Sequence, residues 1–165
     1  GTLWIRLGGL EEALSNRVDR IKDFLNASAG SSISEIEVIA GAEDAQLWLA
    51  VQEFDWVPEG WGIIKVPLTP ARIFVLEERL DGRGARRRYS AGGNLAWVGW
   101  PPDPAEAAAE HDLFNIPDSI LTRIDLPGLV LQGPTTQPFI GLRAGEALLQ
   151  RVKQALDPEG RFLGY

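Results

Sequence analysis

Residues 61–100 read WGIIKVPLTPARIFVLEERLDGRGARRRYSAGGNLAWVGW, and the alternation of elements within this stretch decides the fold class. Trp61–Leu68 holds a run of β-branched residues and is closed by Pro67 and Pro70, which predicts a strand. Proline suits the first turn of a helix and Thr69 is placed to cap it, so a helix is expected over Pro70–Leu80. Asp81-Gly82 and Gly84 turn the chain. Strands follow at Arg87–Ala91 and Asn94–Trp100, with Gly92-Gly93 as the hairpin turn between them.

The same order continues outward. Upstream, a strand is expected at 2–7, a break at Gly8-Gly9, and a helix to Asn26 whose stripe is Leu10, Leu14, Val18, Ile21 and Leu25. A loop over Ala27–Ser34 leads to a strand at Glu35–Ala40 and a helix over Ala42–Phe54. Downstream, an alanine-rich helix is expected from Pro101–Pro104 to His111, a second over Ile116–Ile124, and a strand at Gly128–Gln132. Pro134–Gly141 reads as loop. From Arg143 the chain runs RAGEALLQRVKQALDPEGRF, with Leu148, Leu149, Val152, Ala155 and Leu156 on one side of a helix that Pro158 ends. Strands separated by helices, plus one hairpin, point to an α+β sandwich with an antiparallel or mixed sheet and helices on one face. Helices 10–26 and 143–156 are expected among those that cover it.

Composition sets the outer limits. A chain of 165 residues is expected to form a single domain. The formal net charge of −7 argues against general nucleic-acid binding, which needs a positive field along the phosphates. With no cysteine there is no disulfide and no thiolate metal site. No apolar run reaches the roughly 20 residues that cross a bilayer. GTLWIRLGG has no signal-peptide pattern, and a start at Gly1 fits a piece of a longer, cytoplasmic protein.

The wording of the final helix is more specific than its amphipathicity. L-x-R-V-K-x-A-L-D-P-x-G-x-F resembles the C-terminal helix of FAD-linked oxidases of the vanillyl-alcohol oxidase type, and most nearly the FAD-binding E subunits of bacterial glycolate oxidases. Ile63-Ile64-Lys65-Val66-Pro67-Leu68 is similar to that family's apolar strand with a central cation. Gly92-Gly93-Asn94-Leu95-Ala96-Trp97-Val98 is similar to its G-G-x-L-x-W strand, and Gly128–Pro134 to the strand before its last loop. The resemblance covers residues 60 to 165 well. It implies the family's cap domain, a ferredoxin-like sheet over the flavin, in a subunit that oxidises a 2-hydroxy acid such as glycolate. It implies FAD in the full protein, a separate FAD-binding domain of the same protein, and other subunits as partners. Lys65, Asn94 and Trp97 are the candidate cofactor-binding residues that it marks. The chain departs from the family at Ala96 and Gln132, where the family carries basic residues, and at Phe162-Leu163-Gly164-Tyr165, which replaces an aromatic-N-P-G-R ending.

The rest of the chemistry is sparse. The one histidine, His111, reads as the end of a helix. No G-x-G-x-x-G loop is present to cradle phosphates, so the isolated chain is not expected to bind FAD. Arg83, Arg86, Arg87 and Arg88 read as a solvated turn, and Glu77-Glu78-Asp81 as an exposed helix end. Trp4, Trp48, Trp97 and Trp100 read as core, while Trp56 and Trp61 flank a turn and suit a partner surface. Two other readings remain beside the catalytic one: a non-catalytic assembly module of the same complex, and a ferredoxin-like small-molecule sensor.

Overall fold

The computed structural model describes residues 2–29, 33, 35–102, 113–135, 137–143, 145–159 and 161. Length alone suggests one domain; the chain divides into two compact units, Gly1–Ala50 and Val51–Tyr165. In the first unit lie α1 (Glu11–Ala29) and most of α2 (Ala42–Gln52). Asp44 and Trp48 are one turn apart on α2 and both engage Arg6. The Arg6 guanidinium stacks 5.4 Å from the Trp48 ring centre and its Nη2 donates to Asp44 Oδ2 at 2.9 Å. Trp4 meets Trp48 edge-on at 6.4 Å. On α1, Leu14, Val18, Ile21 and Leu25 are half-buried, but Leu10, just before the helix, is 80% exposed.

The strands expected at 2–7 and 35–40 do not form. A strand needs a neighbour for its backbone donors and acceptors, and among the described residues every ladder lies between Gly62 and Gly141. Alternating apolar residues without a partner edge leave those two segments irregular.

The second unit holds β1 (Gly62–Pro67), α3 (Ile73–Leu80), β2 (Arg86–Ser90), β3 (Leu95–Trp100), α4 (Asn115–Arg123), β4 (Pro127–Gln132), β5 (Phe139–Gly141) and α5 (Glu146–Leu156). The five strands form one antiparallel sheet in the order β2-β3-β1-β4-β5. The first six elements, β1 to β4, are a β-α-β-β-α-β series with β1 and β3 central, the ferredoxin-like arrangement. β5 extends it at the edge beside β4. The fold is α+β, as the element order predicts.

Period-two alternation divides the sheet into two faces. Ile64 and Val66 of β1 share one face with Ala96, Val98 and Trp100 of β3 and Val130 of β4. Leu76 and Leu80 of α3 and Ile120 and Leu121 of α4 pack onto it. The space between Ile64, Leu76 and Ile120 in this layer is about 10 Å³, too small for any ligand. Arg72, just before α3, donates to the carbonyl of Ile124 at the end of α4, and Asp118 of α4 accepts the Gly141 N–H of β5 at 2.7 Å.

Among the described helices of this unit, α3 and α4 are the ones packed on the sheet. α1 belongs to the other unit, and α5 leaves Val152 and Leu156 exposed, the latter by 75%. α5 does end where Pro158 dictates: Asp157 has left helical geometry, and its Oδ1 accepts the Arg161 N–H at 2.6 Å. A 3-10 turn over Pro70–Arg72 precedes α3, and Thr69 caps it through its carbonyl, not its hydroxyl. The Gly92-Gly93 turn is present as a 3-10 turn over Ala91–Gly93, all three at positive φ. β5 falls in the stretch read as loop. The alanine-rich helix to His111 and the chain end after Arg161 lie outside the described residues.

Leu76 is 0% exposed and Phe74, on the same helix, is 82% exposed. Leu76→Ala is expected to cost about 2–5 kcal/mol, and Phe74→Ala to stay within about 0.5 kcal/mol. Urea unfolding of the two variants checks this, and equal losses would refute the placement of α3.

Candidate functional site

On the face away from α3 and α4, one row of side chains crosses all five strands. Register pairs Arg88 with Trp97, Trp97 with Lys65, Lys65 with Leu129 and Leu129 with Phe139. Lys65 Nζ lies 5.7 Å from the Trp97 ring centre. Trp97 Nε1 donates to Ser90 Oγ at 2.9 Å, which fixes the indole on the sheet. Two of the three candidate residues are therefore neighbours. The third, Asn94, is spent elsewhere: its Nδ2 donates to the Ala91 carbonyl at 2.8 Å and closes the hairpin turn.

The segment before β1 lies over the β2 and β3 part of this face. Phe54 meets Trp97 edge-on at 5.3 Å, and Val57 sits against Gly99. The Arg88 guanidinium lies 5.0 Å from the Trp56 ring centre, and Arg86 lies 5.6 Å from that of Trp61. Arg86 Nη1 also donates to the Trp56 carbonyl at 2.7 Å. Burial lowers the Arg88 pKa below the usual arginine value. Of the arginines read as a solvated turn, Arg83 lies exposed in one, whereas Arg86, Arg87 and Arg88 belong to β2. Trp56 and Trp61, read as partner-facing, are stacking partners of that strand, and of the tryptophans read as core only Trp100 is fully buried.

Arg87 alternates to the helix face. It grips Glu77 of α3 with Nε at 2.9 and 2.8 Å from the two carboxylate oxygens and Nη2 at 2.6 Å from Oε2. Tyr89, two residues on, donates its hydroxyl to Glu77 Oε1 at 2.6 Å. Glu77 is accordingly no free helix-end acid. The Arg87 hydrogen bond holds its pKa below the usual 4.5, against a smaller opposing effect of burial. Burial first, then the bond to Glu77, pushes the Tyr89 phenol well above its usual 10.0. This clamp ties α3 to β2 and so helps hold Arg86 and Arg88 on the other face. An ion pair across 10 residues and a hydrogen bond across 12 leave no periodic signal, and sequence reasoning missed them.

Among the described residues no group of three or more His, Cys, Asp or Glu side chains is placed to hold a metal ion. No described helix is long and apolar enough to cross a membrane. The chain matches no protein-family model, no curated protein and no solved structure.

The clamp makes stability depend on pH at both ends. Glu77 has a depressed folded-state pKa, so its contribution is present above 4.5 and is lost as pH falls through the folded value. Tyr89 has a raised one, so its contribution is full below 10.0 and is lost as pH rises beyond it. Glu77→Gln should flatten the acid limb and Tyr89→Phe the alkaline limb. Urea midpoints measured from pH 3 to 11 test both, and limbs unchanged in the variants would rule the clamp out as their source.

Proposed function

We propose that this chain is the cap, on the substrate side, of a flavin-dependent 2-hydroxy-acid oxidoreductase subunit similar to those of glycolate oxidase. The observation that carries the reading is the row Arg88–Trp97–Lys65 on the sheet face that α3 and α4 leave open. A 2-hydroxy acid presents a carboxylate, and a cation on a rigid strand is the group that orients one. Lys65 projects from the central strand, where both neighbours hold the backbone in place. Trp97 offers a flat apolar wall beside it.

FAD, when bound, supplies the acceptor for the two electrons of the hydroxy acid. This chain's share in that reading is to close one side of the site, exclude water with Trp97, and hold negative charge near Lys65. It has no glycine-rich phosphate cradle, so FAD phosphates fall to the FAD-binding domain of the same protein. That domain and further subunits of a glycolate oxidase-like complex are the partners the reading requires.

A second reading draws on the aromatic segment. Phe54 lies on Trp97, and Trp56 and Trp61 engage Arg88 and Arg86, which suits a face built to support an assembly without chemistry of its own.

Two measurements test the reading, and the second separates it from the assembly reading. The isolated chain should show no tight, stoichiometric binding when titrated with FAD. In the complete flavoprotein, Lys65→Ala should lower kcat/KM about tenfold or more, equivalent to about 1.4 kcal/mol. Its stability should stay within about 0.5 kcal/mol, since a half-exposed strand lysine adds little to folding. Unchanged kinetics would leave the assembly reading standing.

A further inference from the structure

We infer that residues 54–57 form a strap over Trp97 that opens locally, with the sheet intact, and so controls access to the Lys65–Trp97–Arg88 row. Its place in the fold comes first. The strap follows α2 and precedes β1, and it joins no strand ladder. Its backbone bonds are those of tight turns, Phe54 N–H to the Val51 carbonyl at 3.4 Å and Val57 N–H to the Phe54 carbonyl at 2.8 Å. Its ties to β2 are side-chain contacts, the bond from Arg86 Nη1 to the Trp56 carbonyl and the Arg88 guanidinium on the Trp56 ring. A segment held by turns, ring contacts and side chains opens more readily than one held by ladders on both edges.

The closed position is also strained. Phe54 has φ of 59°, in the left-handed region that costs a bulky side chain most. In that position the Phe54 ring meets Trp97 edge-on at 5.3 Å and lies 6.4 Å from the Trp56 ring. A planar group stacking on that side of the indole takes the place of Phe54, so ligand and strap compete for one surface.

Gly99 is the seat. A Cβ there would lie 3.2 Å from both methyl carbons of Val57, tighter than ordinary contact. Glycine costs stability in the middle of a strand, and at this position it lets the strap lie flat on β3. Gly99→Ala should therefore act as a wedge that shifts the strap toward its open form.

Amide hydrogen exchange of the full chain tests the strap. The Val57 amide should be protected about 100-fold less than the hydrogen-bonded amides of β3, and its exchange should be nearly independent of low urea, the mark of local opening. Gly99→Ala and, separately, Arg86→Gln should each speed Val57 exchange about tenfold while the β1 amides keep theirs. Val57 and β3 amides exchanging together, with one protection and one urea dependence, would overturn the inference. So would local exchange that neither variant changes.

The link to a ligand rests on the oxidoreductase reading above, and a separate arm tests that part. A site closed part of the time loses apparent affinity in proportion to its open fraction. In the complete flavoprotein with glycolate, Gly99→Ala should lower KM several-fold with kcat little changed. A strap that exchange shows to be opened by Gly99→Ala, with KM unmoved, would preserve the strap and remove the substrate-side reading of the face.

Discussion

The pairing of β1 on both of its edges is the constraint from which the rest of this fold follows. β3 fills one edge and β4 the other, and both run antiparallel to it. The two crossovers that make this possible carry α3 and α4, whose apolar sides have one sheet face to bury against. Ile64 and Val66 must then point to the helices and Lys65 away from them. A slip of one residue would send Lys65 into an apolar layer with about 10 Å³ to spare and bring Ile64 to the open face. The register and the position of the cation are one decision.

The same alternation divides the labour of β2. Three consecutive arginines look uniform in the sequence, yet each side chain meets a different environment. Arg87 turns inward to a carboxylate and a phenol, while Arg86 and Arg88 turn outward to indole rings. The inward member links β2 to α3, which keeps an edge strand from sliding on its single neighbour. The outward members depend on that link for their position. Structure on one face thus sets the geometry of the other.

What could be read from the sequence follows the range of each interaction. The hairpin around Gly92-Gly93, the strand with Ile63 and Ile64, and the stop at Pro158 are local effects, and each is found within a residue or two of its expected place. β5 is three residues long, too short for alternation to register, and exists because β4 offers it an edge. The stretches at 2–7 and 35–40 show the converse, a strand pattern with no edge to join. On α5 the stripe was legible, but its burial was not, since a stripe says which side is apolar and nothing about what lies opposite. At the site, Lys65 and Trp97 were legible as separate residues. Their adjacency, and the arrival of Arg88 beside them, appears only once strand register is known.

The open face also differs from the clamp in how its charges are held. Glu77 neutralises Arg87 with a full carboxylate at 2.6 Å, and such a pair presents little net field. Lys65 rests on the Trp97 ring, and Arg86 on the Trp61 ring and a backbone carbonyl. A ring orients a cation through its quadrupole without cancelling the charge. The chain as a whole carries −7, and these cations stand on the face that α3 and α4 leave open. An anion approaching that face meets cations already positioned, whose side-chain freedom has been restricted by stacking in advance. Preorganisation of this kind is what a site for a small carboxylate needs. It is also why the strap matters: the ring beside Arg88, that of Trp56, belongs to the segment that covers the face.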